Sequence, residues 1–372
     1  METINETNTI YHSFHFTFPG VSSRIYITKN IPSLEDICGK MKDNSRNILF
    51  VCDENTHYIA KQICGNNELP ISVLPAGEEF KRWDSVETIL KKAKDSGLGR
   101  DSLFVGIGGG VVTDMAAFAA SIYMRGVKLS LISTSLLGMV DAAAGGKTGF
   151  DLFDIKNLAG TFYPADNIFM PLEALITLPS KEWKSGMAEL IKTAIIGDRK
   201  MLDDLLEHRD TINGEGIAKN PKRIAGFIAK SVEIKCHIVE NDPQEKGDQR
   251  MLLNLGHTFG HALESSLGLG SISHGEAVAW GLVRSCELGL ALGITNKVLC
   301  DQIIEVLKSF NFEIRAPYPE MHDTEIFMNA LMNDKKKKGG GLNFIVPDAS
   351  GACIVNSNNI SISLLKDIIG NA

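Results

Sequence analysis

"SLFVGIGGGVVTDMAAFAASIYMRG", residues 102–126, decides the fold. Its first part, 102–110, is an apolar run that closes on glycines, and 111–126 repeats apolar residues at helical spacing. A strand that passes through Gly108, Gly109 and Gly110 into a helix lets its backbone approach a phosphate closely. The helix start then offers free N–H groups and a partial positive charge. The spacing G-x-G-G-G departs from the G-x-G-x-x-G fingerprint, and a structural tight turn would by itself account for the glycines.

Working outward, strands are expected at 24–28, 47–53, 71–77, 128–134 and 167–171, with a helix over 85–97. Strand–helix alternation predicts a Rossmann-like α/β domain, a parallel sheet covered on both faces. Polar residues gather where its strands end. Asp53 closes one strand as an acid placed for a ribose hydroxyl would, and "AGEEFK" (76–81) closes another with Glu78 and Lys81. Such residues at carboxyl ends of strands suit a dinucleotide crevice. "VDAAAGGKTGFDLFDIKN" (140–157) reads as a glycine-rich loop, but Asp141, Lys147, Lys156 and Asn157 within it suggest an anionic substrate.

After about Leu178 the pattern becomes mostly helical, over 180–198, 221–242, 256–268, 275–293 and 296–310, then a hairpin (342–347, 352–356) and a last helix at 361–370. Two domains are therefore expected, 1–177 and 178–372. A length of 372 residues, 44% hydrophobic and 22% charged, fits a two-domain globular enzyme. A net charge of −7 argues against nucleic acid as a partner. The one basic block, Lys335 to Lys338, reads by itself as a solvated loop. Seven scattered cysteines without a C-x-x-C fit a reducing compartment. The start has no signal-peptide pattern and no later segment has membrane-span length, so a cytoplasmic protein without a membrane partner is expected.

"LLNLGHTFGHALE" (252–264) puts His257 and His261 on one helix face with Gly256 and Gly260 on an adjacent one. Thr258 stands where a zinc protease's glutamate would be, which excludes H-E-x-x-H. "SHGEAVAWG" adds His274, and "GMAELIK" adds Glu189 with Lys192 on the same face. A catalytic zinc takes three N/O ligands and keeps one position open. Spacing alone pairs His257 with His261 and leaves open whether His274 replaces one of them.

The sequence resembles the 3-dehydroquinate synthase family over nearly its whole length. "GGGVVTDMAAFAASIYMRG", "VDAAAGGKTG", "KNLAGTFYP", "TLPSKEWKSGMAELIK", "RMLLNLGHTFGHALE", "HGEAVAWG" and "MNDKKKKGG" fall in the family's order and at its spacing. The resemblance implies metal ligands Glu189, His257 and His274, zinc or cobalt as the ion, and His261 as a substrate-binding histidine. It implies NAD contacts from Asp53, Glu78, Lys81, Gly109, Gly110, Asp114, Thr134, Ser135 and Thr177, with Lys156 grouped among them. Asp141, Lys147, Asn157, Lys192, Lys235, Arg250, Asn254 and Lys336 would contact substrate. Ser135 stands for a usual threonine, Ala142 and Ala143 for two serines, and the acidic run before Arg250 is altered.

The implied reaction, a step of the shikimate pathway, converts 3-deoxy-D-arabino-heptulosonate 7-phosphate to 3-dehydroquinate and phosphate. The C5 hydroxyl is transiently oxidised by NAD, phosphate is eliminated, the ketone is reduced again, and an intramolecular aldol step closes the ring. A homodimer is the expected assembly. The rival readings are a sibling sugar phosphate cyclase, a metal-dependent glycerol or alcohol dehydrogenase, and a non-catalytic binding protein.

Overall fold

Strand Ile10–Phe18 (β1) lies ahead of any strand expected from the sequence, and it pairs antiparallel with Val21–Thr28 (β2). Phe16 and Phe18 alternate inward, while histidine, serine and threonine between them dilute the apolar signal. The computed structural model describes residues 8–18, 21–39, 47–153, 155–268, 270–315, 324–337 and 342–370, with side chains in the penultimate segment described from Glu325 to Leu331.

The chain continues through helix Leu34–Cys38 (α1), strand Ile48–Asp53 (β3), helix His57–Cys64 (α2), strand Ile71–Leu74 (β4) and helix Trp83–Asp95 (α3). Next come strand Leu103–Gly108 (β5), helix Gly110–Ile122 (α4) and strand Lys128–Ser133 (β6). A two-stranded ribbon, Lys147–Leu152 (β7) and Ile155–Phe162 (β8), follows, then strand Asn167–Pro171 (β9). Helices Ser180–Gly197 (α5), Lys200–His208 (α6), Gly214–Lys219 (α7), Pro221–Asn241 (α8), His257–Leu267 (α9), His274–Ala291 (α10), Lys297–Ser309 (α11) and Thr324–Lys337 (α12) come after it. The hairpin of Asn343–Asp348 (β10) and Gly351–Asn356 (β11) and helix Ile362–Gly370 (α13) close the chain.

The chain divides into two compact units. The first is residues up to Leu178 with Asn213–Gln244; the second is Pro179–Ile212 with the residues from Glu245 onward. The first unit holds a seven-stranded sheet in the order β1-β2-β9-β6-β5-β3-β4, parallel except for β1. Every residue of β5 is buried, as expected of a central parallel strand. The winding reverses between β3 and β5, because β4 lies on one side of β3 and β5 on the other. Ligands of open α/β sheets bind at such switch points, outside the carboxyl ends of the strands. Asp53 and Gly109 stand at that place.

Two departures from the expected organisation matter for function. The glycine-rich stretch expected to be a loop is the β7–β8 ribbon, which packs on α4. Helix α8, expected in the helical half, belongs to the first unit, as does α7, for which the sequence carried no expectation. α8 buries Ile224, Phe227, Ile228 and Val232, and packs on β1 and on the turn Gly138–Ala142. Helical periodicity shows that a face will be buried and does not name its partner. Glu240 of α8 also accepts the Thr17 N–H of edge strand β1 at 2.9 Å. The second unit gathers Phe259, Leu263, Trp280, Phe327, Leu331 and Phe344 into one core.

Candidate active site

In the second unit α9 and α10 lie backbone to backbone. Gly256 opens α9 at a φ of 80°, in the left-handed region that favours glycine. A Cβ on Gly281 of α10 would fall 2.0 Å from the Gly256 carbonyl, and one on Gly260 would stand 2.9 Å from the Ala277 carbonyl. The glycines beside the two histidines thus serve close helix packing. That packing brings the first residue of each helix, His257 and His274, to a ring-centroid distance of 5.3 Å. A capping box of Ser273 and Glu276 fixes the start of α10.

Glu189 of α5 completes a cluster with these two rings. Its carboxylate is fully buried, with Oε1 3.4 Å from His257 Nε2 and 3.4 Å from His274 Nε2, and Oε2 in an ion pair with Lys192. Among the described residues its oxygens meet only the Lys192 ammonium and these two imidazoles. A buried carboxylate is costly unless cations compensate it, and Lys192 stands at Oε2 while Oε1 faces the two rings. Two donors held at about 2.1 Å from a tetrahedral zinc stand about 3.4 Å apart. The donor set and its spacing fit a divalent metal. Burial pushes His257 down to about 3, with the Lys192 charge acting in the same direction, so it stands neutral as a ligand must. Burial also works to lower His274, but hydrogen bonds and charges from Glu189 and Glu264 outweigh it and raise it to about 9.

His261 lies one turn beyond His257, with ring centroids 5.2 Å apart, and is more exposed. Its possible donor atoms cluster with those of Glu264 and His274 rather than with Glu189. Glu264 escaped the sequence reading, although positions 257, 261 and 264 mark one helix face. Its Oε1 is 3.9 Å from His274 Nδ1. Lys192 is buried beside Glu189, and Arg250 is buried in the short turn Arg250–Asn254. Asn254 Nδ2 lies 3.5 Å from Glu245 Oε1. The side chain of Lys336 lies outside the described residues.

In the first unit Asp53 Oδ1 accepts the Thr56 N–H at 2.9 Å and the Thr56 hydroxyl at 2.8 Å, which fixes the carboxylate at the end of β3. The start of α4 has no side-chain cap, so its first N–H groups are available to a phosphate. A Cβ on Gly109 would stand 3.2 Å from Ser135 Oγ, and one on Gly110 3.2 Å from Ala142 Cβ. Thr134 is buried and donates its N–H to the Gly108 carbonyl at 2.9 Å. Lys81 Nζ donates to Asp114 Oδ2 and to Asn157 Oδ1, each at 2.6 Å. Burial would lower the Lys81 ammonium, but the charges of Asp114 and Glu78 outweigh it and hold it above its usual value. Lys235 of α8 pairs with Asp141 Oδ1 at 2.6 Å.

Ala142, Ala143, Asp114 and Lys147 share one cleft. Lys147, Glu78 and Thr177 are exposed, and Lys156 is half-buried.

A phosphate-ready helix start at a sheet switch point and a His/Glu centre on packed helices place the chain among the dehydroquinate synthase-like enzymes. A family model for the 3-dehydroquinate synthase N-terminal region matches residues 71–185, and one for the C-terminal region matches 186–337. The 3-dehydroquinate synthase of Campylobacter jejuni subsp. doylei is 39% identical over 291 residues, 78% of this chain and 82% of that one. The chain belongs to the 3-dehydroquinate synthase family, and it is an enzyme of that activity.

Sibling cyclases share the fold at lower identity. The 2-epi-5-epi-valiolone synthase ValA of Streptomyces hygroscopicus subsp. jinggangensis, solved with NAD+ and Zn2+ bound, gives a TM-score of 0.81 at 22% identity over 95% of this chain and 97% of its own. A 2-deoxy-scyllo-inosose synthase, solved with carbaglucose-6-phosphate, NAD+ and Co2+, gives 0.80 at 23% over 96% and 99%. Among the described residues, no helix is long and apolar enough to cross a membrane.

Proposed function

We propose that this chain performs the dehydroquinate synthase reaction on 3-deoxy-D-arabino-heptulosonate 7-phosphate, with Glu189, His257 and His274 holding a zinc or cobalt ion and with NAD at the β3–β5 switch point. The observation that carries the reading is the buried Glu189 Oε1 with two imidazole nitrogens 3.4 Å away, the spacing of donors around one metal ion. When bound, NAD supplies reversible oxidation of the C5 hydroxyl, and the metal supplies Lewis acidity toward the oxygens there.

The chain's own residues provide binding and charge. Gly109 and Gly110 give the cofactor's phosphates a close backbone approach, supported by the uncapped start of α4. Asp53 accepts from its ribose, and Glu78, Lys81, Asp114, Thr134, Ser135, Lys156 and Thr177 supply the remaining contacts on that side. Lys192 keeps Glu189 ionised for its role as ligand, supported by their buried ion pair. Lys147, Lys235 and His261 hold the leaving phosphate and its developing charge. Asp141 orients Lys235 through their 2.6 Å contact. Arg250 and Lys336 neutralise the substrate carboxylate, and Asn157 and Asn254 hydrogen-bond the sugar oxygens.

The protein acts in the cytoplasm, a placement supported by its seven cysteines, which form no disulfide. Exposed Phe153, Leu158 and Phe162 on the β7–β8 ribbon support a homodimer.

The test is phosphate release from the keto-acid phosphate and from sedoheptulose 7-phosphate, which lacks the carboxylate. A charge-assisted hydrogen bond contributes about 1.5–3 kcal/mol. Two of them predict a preference for the acid of roughly two to four orders of magnitude in kcat/KM, much reduced in Arg250→Ala. Comparable turnover of both substrates by the native enzyme would refute the carboxylate assignment.

A further inference from the structure

Asp151 and Asn157 face one another across an irregularity in the β7–β8 ribbon. Phe150 pairs with Ala159 and Leu152 with Ile155, so Asp151 alone stands against three residues of the opposite strand. Bulges of this kind take residues out of the ladder and re-aim their side chains. Asn157 has a φ of 51°, a left-handed conformation that asparagine tolerates better than most residues. Its N–H donates to Asp151 Oδ1 at 2.7 Å. The Asp151 N–H donates to the Lys81 carbonyl at 2.7 Å. Lys81 Nζ returns to Asn157 Oδ1 at 2.6 Å and holds Asp114 Oδ2 at the same distance. These bonds close a ring from the turn after β4, through the ribbon, and back, with α4 attached through Asp114. Lys81 is only 5% exposed, so its part of the ring is shielded from water, while Asp151 is half-buried and Asn157 exposed.

We propose that Asp151 is a positioning residue that fixes Asn157 in its left-handed conformation and fastens the ribbon to Lys81, so that the placement of Asn157 toward substrate and of Lys81 toward cofactor are set together. The proposal rests on the reading above, in which Lys81 meets NAD and Asn157 meets the keto-acid phosphate. Asp151 touches neither ligand. Its carboxylate accepts one backbone N–H, which an asparagine in its place can also do, and its charge adds a minor contribution to holding the Lys81 ammonium protonated. Cofactor and substrate affinities are therefore coupled through one side chain that belongs to neither binding surface.

The experiment compares Asp151→Ala and Asp151→Asn with the native enzyme, measuring kcat and KM for the keto-acid phosphate. It also measures the NAD dissociation constant by calorimetry without substrate, and Tm. Loss of one hydrogen bond to a charged acceptor predicts a KM about tenfold higher in Asp151→Ala, with kcat changed by less than about threefold. NAD binding should weaken several-fold in the same variant. Asp151→Asn should stay within about threefold of native on both constants, because its amide oxygen accepts the same N–H. A lower Tm with unchanged KM and NAD affinity would reduce Asp151 to a structural residue and overturn the proposal. Equal impairment of the Asn and Ala variants would overturn it too. If the native protein releases no phosphate from the keto-acid phosphate, the functional reading fails, and the NAD affinities of the two variants still decide whether the clamp exists.

Discussion

Glu189→Gln should destabilise the second unit more than any loss of metal explains. Side chains of Glu189 and Lys192 are 0% and 2% exposed, so replacing the carboxylate by an isosteric amide removes the opposite charge from beside an ammonium in the interior. Removing one partner of a buried pair typically costs about 3–5 kcal/mol, because the other charge stays desolvated. Replacing both by neutral groups of similar volume is often nearly neutral. The double variant Glu189→Gln/Lys192→Met should therefore recover to within about 1–2 kcal/mol of the native chain. The assay is urea unfolding of chelator-treated protein at pH 7, followed by fluorescence. Trp183 and Trp280 lie in the unit concerned. An unchanged midpoint in Glu189→Gln, or a double variant as weak as the single, would refute the argument that these two charges are held against each other.

Metal retention should separate the two histidines of α9. His257→Ala should emerge without zinc and His261→Ala should keep it while losing most of kcat, as metal analysis of the purified variants will show; an apo His261→Ala beside a loaded His274→Ala would reverse the assignment. Zinc affinity of the apo protein should also depend on pH. His274, held at about 9 in the metal-free chain, must give up its proton, whereas His257, at about 3, has none to lose. Apparent affinity should rise about tenfold per pH unit up to about pH 9 and then level off, with about one proton released per zinc at pH 7. Calorimetry in buffers of different ionisation enthalpy measures that number, and zero would contradict the electrostatics.

The β5–α4 turn was legible because an apolar strand, three glycines and a helical repeat follow one another without interruption. Strand β1 was not, since its inward residues alternate with histidine and serine at the sheet's edge. The β7–β8 ribbon was hidden for a similar reason. Most of β8 is exposed, and the ribbon's glycines and polar residues imitate a loop. Spacing on α9 put His257 and His261 forward together because both lie on one face, but the choice between His261 and His274 beside Glu189 is made by the packing of α9 against α10. No local pattern carries that information. The same holds for Lys235 reaching Asp141, a contact across 94 positions that depends on α8 folding back onto the first unit.

The central claim is that NAD is borrowed and returned within one catalytic cycle. The measurement is absorbance of reduced nicotinamide while the metal-loaded enzyme converts a large excess of keto-acid phosphate over NAD, with phosphate release followed in parallel. The account predicts complete phosphate release, no net accumulation of reduced cofactor, and no turnover when NAD is omitted. Reduced nicotinamide accumulating in step with substrate consumed, and turnover stopping when NAD runs out, would contradict it and identify a dehydrogenase.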